Sequence, residues 1–169
     1  IASRIENKGA VIANDESGHR MKSLHANVYR TGSACVAATN YDGRQIPEDE
    51  EYDRILVDAP CSGEADRARR GETANISEIK GLAQLQKQLA VKAEGLLKDG
   101  GVMVYSTCTF APEENEEVVK HVLEETNLEL VKAETEAEHS RGVTEFEEKE
   151  YGEEMKKTIR VYPHHLNSG

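Results

Sequence analysis

The chain has 169 residues, 37% of them hydrophobic with two Phe and no Trp, which supports one domain with a largely aliphatic core. Three cysteines, an odd number, and the lack of a hydrophobic leader predict a reducing, cytoplasmic setting and argue against a disulfide framework, and no apolar run approaches the roughly 20 residues that a membrane span requires. The net charge of −11 argues against a nucleic-acid ligand, but nine of the acids fall between Glu134 and Glu154, a stretch that reads as a solvated acidic insertion over about 134–155.

In chain order, Ile1 to Asn7 reads as a short helical remnant closed at Lys8-Gly9, and Val11 to Ala13 as a strand. Met21, Leu24 and Val28 mark a helix from about Ser17 to Tyr29, with Gly32 beyond its end, and Val36 to Thr39 is the next strand, closing in the turn Asn40-Tyr41-Asp42-Gly43. Arg54 to Val57 is a buried strand that runs into Asp58-Ala59-Pro60-Cys61-Ser62-Gly63. Basic residues gather just after it at Arg67, Arg69 and Arg70, followed by Lys80 and Lys87, a local rim that can coexist with a negative total. A long helix from about Ser77 to Leu97 carries Ile79, Leu82, Leu85, Leu89, Val91, Leu96 and Leu97, and stops at Asp99-Gly100-Gly101. Strand Val102 to Tyr105 delivers Ser106-Thr107-Cys108-Thr109-Phe110. Pro112 opens a further helix whose first turn holds Glu113, Glu114, Glu116 and Glu117, an acid run that fits the helix dipole better than a metal cage. Leu128 to Val131 and Thr158 to Tyr162 complete the pattern as short strands. This βαβ alternation specifies an α/β fold with a doubly wound parallel sheet and helices on both faces.

Ligands of such sheets lie beyond the carboxyl ends of the strands, so Cys61 and Cys108 are expected to face one crevice together with Asp58. Two strand-end acids, Asp15 and Asp42, fit an adenosine-type ligand: Asp15 to accept from ribose hydroxyls and Asp42 from an adenine amino group. Each has an ordinary alternative, Asp15 as a cap or turn residue for the helix that follows and Asp42 as half of a turn pair. No Gly-rich loop joins a first strand to a helix. Metal is not expected, because no cysteine pair has zinc-knuckle spacing despite six histidines, and Cys35 reads as packing.

Asp58 to Gly63, Ser106 to Phe110 with Pro112-Glu113-Glu114-Asn115-Glu116, and Arg160-Val161-Tyr162-Pro163-His164-His165 resemble, in order and spacing, the Nop2/Sun family of RNA cytosine-5 methyltransferases. Val11 to Asp15 and Tyr41 to Arg44 resemble that family's cofactor motifs. The resemblance implies a Rossmann-like class I methyltransferase domain over residues 1–169, S-adenosylmethionine as cofactor and tRNA or rRNA as partner, with no membrane and no metal. It implies Cys108 as the nucleophile that adds to cytosine C6, Cys61 as the residue that assists product release, and Asp58 at the cytosine N3 edge and beside the cofactor. Asp15 and Asp42 would hold the cofactor, and Pro60, Arg67 and Arg70 the RNA. The family's first strand and Gly-rich loop, with its lysine, would precede Ile1 and its closing strand would follow Gly169, so the domain is expected to be incomplete at both ends. Two rivals stand beside this reading: an inactive RNA- or partner-binding module of the same fold, and a thiol hydrolase, which would need a histidine within reach of Cys108.

Overall fold

The computed structural model describes residues 1–49 and 51–165; within the helix 64–69 the side chains of residues 65, 68 and 69 lie outside the described set, and with them the Arg69 part of the basic rim. Two compact units emerge, Ile1–Glu50 and Glu51–Gly169.

In the first unit, β1 (Val11–Asn14) and β2 (Val36–Thr39) pair in parallel, Val11 against Val36 and Asn14 against Thr39, joined by α1 (Gly18–Thr31). Ser17 caps α1, its side chain accepting from the Arg20 N–H, and Gly32 closes the other end. Met21 is buried with Leu24 and Val28 half-buried, the apolar stripe that the spacing predicts. Ile1 to Asn7 forms hydrogen-bonded turns rather than a helix; Glu6 and Asn7 adopt left-handed backbone, which stops helical propagation before Gly9 is reached. Cys35 lies one residue before β2, its carbonyl accepting from the Val11 N–H.

The second unit is built on β3 (Tyr52–Asp58) and β4 (Leu97–Ser106), also parallel, with Leu56 against Val104 and Asp58 against Ser106. The crossover contains α2 (Glu64–Arg69) and α3 (Ile76–Glu94), the latter capped by Asn75. The Asp99-Gly100-Gly101 stretch lies within β4 as an irregularity of register, in which the partner of Tyr52 is Leu97 and that of Arg54 is Val102. Ile55, Val57, Met103 and Tyr105 are half-buried, whereas Leu56, Val102 and Val104 on alternate positions are exposed.

After β4 the chain makes a 3₁₀ turn at Pro112–Glu114, pivots at Asn115 and enters α4 (Glu116–Glu125). Only Glu116 and Glu117 therefore occupy the first turn of α4; Glu113 and Glu114 belong to the preceding turn. Ala83 and Ala90 of α3 and Val118 and Val122 of α4 form the core, with Met103, Tyr105 and Leu128 packed on it. The small alanines let the two helices approach closely. Leu128 to Val131 alternates half-buried and exposed side chains as a strand would, but forms no strand pair; the Leu130 carbonyl accepts instead from Lys157 Nζ.

The acidic stretch is more ordered than a solvated excursion. It contains β5 (Ser140–Arg141), antiparallel to β8 (Ile159–Arg160), and a hairpin of β6 (Glu145–Phe146) and β7 (Lys149–Glu150). Tyr151 and Met155 are buried, anchoring a stretch whose glutamates line the outside. Gly142 passes close to its neighbours: a Cβ there would meet Thr158 Oγ1 and lie 2.6 Å from the Met155 carbonyl oxygen and 3.1 Å from Glu116 Oε1. No helix among the described residues is long and apolar enough to cross a membrane.

Candidate active site

Parallel pairing places the ends of β3 and β4 side by side, so the two motifs leave the sheet together. The Ser106 hydroxyl donates to Asp58 Oδ1 at 3.3 Å. Beyond them Cys61 Sγ and Cys108 Sγ are 2.7 Å apart, and the Cys108 backbone N–H donates to Cys61 Sγ at 3.2 Å. Both cysteines are free thiols, Cys61 half-buried and Cys108 exposed. Hydrogen bonding to Cys61, with burial and the nearby Asp58 charge adding to it, pushes the Cys108 thiol up to about 11. No histidine among the described residues hydrogen-bonds Cys108.

The loops that carry the thiols are tied to each other and to the acid run. Gly63, in left-handed conformation, turns the chain into α2, and its carbonyl accepts from the Asp66 and Arg67 N–H groups. Ser62 Oγ and Thr109 Oγ1, both buried, hydrogen-bond at 2.9 Å across the loops, and Glu64 Oε2 accepts from Thr109 Oγ1 and from the Phe110 N–H. Glu114, fully buried, accepts at Oε2 from the Ser62 N–H at 3.0 Å and from Gln86 Nε2 at 2.8 Å; the same Gln86 nitrogen donates to the Pro60 carbonyl at 2.8 Å. Asn115 accepts from Thr107 Oγ1 at 2.7 Å and donates to the Thr109 and Ala111 carbonyls. Glu116, also buried, takes the Arg160 guanidinium in a bidentate pair and the Val143 N–H, while Arg160 Nη1 donates to the Phe110 carbonyl at 2.9 Å. Burial pulls the Arg160 pKa down, but the Glu116 carboxylate outweighs it, and the net direction is upward.

Sequence reasoning treated these acids as helix chemistry and passed over Gln86 altogether. One signal was available: Gln86 falls in the stripe Ile79, Ala83, Ala90, Ala93 of α3, all buried, and an amide at that spacing demands partners. Asn115, placed between two acids, carried no comparable mark.

The other expected residues are located as follows. Asp15 and Asp42 follow β1 and β2, in the first unit. Asp15 accepts from Arg20 Nε and Nη2 and from the Ser17 N–H, and Asp42 from Arg44 in the same manner; the Arg20 side chain holds Asp15 below its ordinary range, and Arg44 lowers Asp42 to about 2. Two carboxylates at successive strand ends are the acceptor set that hydroxyl and amino groups of a nucleoside require, and both pairs are on the surface. Pro60 is exposed beside Cys61. Arg67 pairs with Glu78, and Arg70 lies 3.4 Å from Asp66 and 3.6 Å from Glu72, so acids balance this rim locally. No group of three His, Cys, Asp or Glu among the described residues is arranged to hold a metal ion.

Residues 1–169 match the family model for 16S rRNA methyltransferase RsmB/F over their whole length. The chain belongs to the RsmB/F methyltransferase family. Among similar proteins, a tRNA (cytosine(49)-C(5))-methyltransferase of Pyrococcus abyssi is 40% identical over 167 residues, covering 96% of this chain and 54% of the relative. A human 28S rRNA (cytosine(4447)-C(5))-methyltransferase is 35% identical over 175 residues, 99% of this chain and 21% of the relative. In solved structures, a methyltransferase homologue from Pyrococcus horikoshii superposes with a TM-score of 0.81 at 32% identity, over 96% of this chain and 51% of that one. NSun6 from the same organism, solved with SFG, gives 0.69 at 37% identity over 73% of this chain and 32% of that one. The chain thus spans about half the length, or less, of these relatives. Its fold is the expected α/β, Rossmann-like methyltransferase fold.

Proposed function

We propose that residues 1–169 form part of the catalytic domain of an RNA cytosine-5 methyltransferase that acts on tRNA or rRNA. The observation that carries this reading is the meeting of Cys61 and Cys108 at 2.7 Å beside Asp58, in a chain whose relatives are named for methylation of cytosine C5. Cytosine C5 is a poor nucleophile. Cys108 Sγ overcomes this by adding to C6, which turns the C5–C6 double bond into an enamine; the electron pair moves toward C5 while negative charge develops along the N3 edge, where the Asp58 carboxyl hydrogen-bonds. S-adenosylmethionine, when bound, would supply the activated methyl group; Asp15 and Asp42 of the first unit are the residues proposed to hold it, and a structural relative solved with SFG, an analogue of that cofactor, supports a cofactor of this class. After transfer the C5 proton leaves to a base, the C6–S bond breaks and the Cys108 thiolate is regenerated, with Cys61 beside the departing sulfur. Pro60, Arg67 and Arg70 are the proposed RNA contacts, the arginines exchanging local acid partners for phosphates.

The resting contact has a mechanistic cost. In contact with Cys61 the Cys108 thiol is raised to about 11, so it must lose its proton before it can add to the pyrimidine. Covalent trapping tests the assignment. In the full-length protein Cys61→Ala is expected to accumulate a protein–RNA adduct on a denaturing gel, and Cys108→Ser to form none. Equal, background-level bands for both variants would overturn these roles. Asp58→Ala is expected to abolish methylation, and calorimetry with S-adenosylmethionine shows whether its role at the cofactor or at the base dominates.

A further inference from the structure

The consecutive residues Glu114 and Asn115 reach opposite loops. Through its carboxylate and Gln86, Glu114 grips the chain on both sides of Cys61: Ser62 N–H on one side and the Pro60 carbonyl on the other. Through its amide, Asn115 grips the chain on both sides of Cys108: Thr107 Oγ1 before it, and the Thr109 and Ala111 carbonyls after it. Neither side chain touches a sulfur. Glu114 ends the 3₁₀ turn and Asn115 joins it to α4, where Val118 is fully buried one turn later, so neither residue can shift without moving the core.

We propose that Glu114 with Gln86, and Asn115, are positioning residues that bear chiefly on different thiols of two loops joined at Ser62 and Thr109, the first pair serving the release step at Cys61 and Asn115 the attack step at Cys108. The proposal rests on the reading that Cys108 attacks and Cys61 assists release. Its content is that adjacent residues in one motif govern opposite halves of the reaction. A buried amide lost from beside Cys61 frees the Pro60 carbonyl and leaves Glu114 with Ser62 alone, while the Cys108 loop keeps its own three hydrogen bonds. A side chain lost at 115 does the reverse. Displacement of a reacting group by about 1 Å can cost on the order of 100-fold in rate, so each loss should register on its own step.

The experiment uses the full-length protein and S-adenosylmethionine with two RNAs, one carrying ordinary cytosine and one carrying 5-fluorocytosine, whose fluorine blocks the final elimination and so reports attack and methyl transfer without release. Gln86→Leu, with Glu114→Gln as a second, shape-preserving variant, is expected to slow turnover and raise the adduct on ordinary RNA several-fold, as Cys61→Ala does, with adduct on the fluorinated RNA little changed. Asn115→Ala is expected to lower the rate of adduct formation on the fluorinated RNA about tenfold or more, and Asn115→Asp, which keeps the acceptor for Thr107 but not the two donated bonds, to recover part of it. Val122→Ala, a core truncation away from both loops, should leave the balance between attack and release unchanged at matched stability. If Cys61→Ala accumulates adduct but the Gln86 and Glu114 variants do not, or if the 114 and 115 variants shift both RNAs alike, the division of roles is wrong. If Cys61→Ala itself accumulates none, the assignment of the thiols fails first.

Discussion

The acids of the two units are used in opposite ways. In the first unit Asp15 and Asp42 sit at strand ends on the surface, each chelated by an arginine close in sequence, Arg20 and Arg44. In the second, Glu114 and Glu116 are buried and reach 52 and 44 residues along the chain, to Ser62 and Arg160. A short-range pair exposed to water contributes little to stability and is readily exchanged, whereas a buried, long-range one is expensive to break. The first arrangement suits a surface that takes a ligand; the second suits a frame that must not move while chemistry proceeds beside it.

The sharpest way to break this contrast is Glu116→Ala. It leaves Arg160 buried without its carboxylate and is expected to cost about 3–5 kcal/mol in denaturant unfolding; a loss below about 1 kcal/mol would place the pair among ordinary surface bridges. Next in size is the titration of Cys108. Alkylation by iodoacetamide should rise with pH toward a midpoint near 11 rather than 9.0, and Cys61→Ala, which removes the largest cause, should bring that midpoint down. Because folding raises this group, its contribution to stability is complete below the unfolded value near 9 and is lost as pH climbs through about 11.

Smaller still is Glu117, half-exposed between Lys87 and Lys149. Burial pushes its carboxyl up, but the two lysines prevail and the net direction is down. Its stabilisation is therefore present above the unfolded carboxylate value and fades as pH falls through the lowered one; Lys149→Ala should cost about 0.5 kcal/mol, read from thermal unfolding at neutral pH. Asp42→Asn should leave the unfolding midpoint unchanged while weakening S-adenosylmethionine binding in calorimetry. An equal loss of stability and of binding would erase the distinction between the units.

Much of the fold was legible because periodicity and punctuation are local. Met21, Leu24 and Val28 mark α1, Val36 to Thr39 coincide with β2, and the two cysteine motifs fall at the ends of β3 and β4. Leu128 to Val131 shows where this logic stops: alternation describes the side chains, but a strand also needs a partner, and here the backbone found a lysine instead. Ile1 to Asn7 failed for a related reason, since propensity does not reveal that two consecutive residues will turn left-handed. At the candidate site, Asp58, Cys61 and Cys108 could be singled out by residue type and place, and the structure brings the two sulfurs to 2.7 Å. Their supports could not, because the bonds through which Gln86, Glu114 and Asn115 act span 4 to 52 residues, and those of Gln86 and Glu114 to the Cys61 loop lie beyond any sequence window.

Gly142 carries a practical consequence for anyone reshaping this protein. The stretch from Glu134 to Glu154 has the look of dispensable surface, a natural place to trim a chain or graft a tag. Yet at Gly142 it passes so close to Met155 and Glu116 that even one methyl group would be forced against them, and the next residue donates its N–H to the same carboxylate that holds Arg160. Shortening or cargo is better placed at the tip of the β6–β7 hairpin, around Glu147, whereas an edit near 142 would be transmitted along Arg160 to Phe110 and so to the loop that bears Cys108.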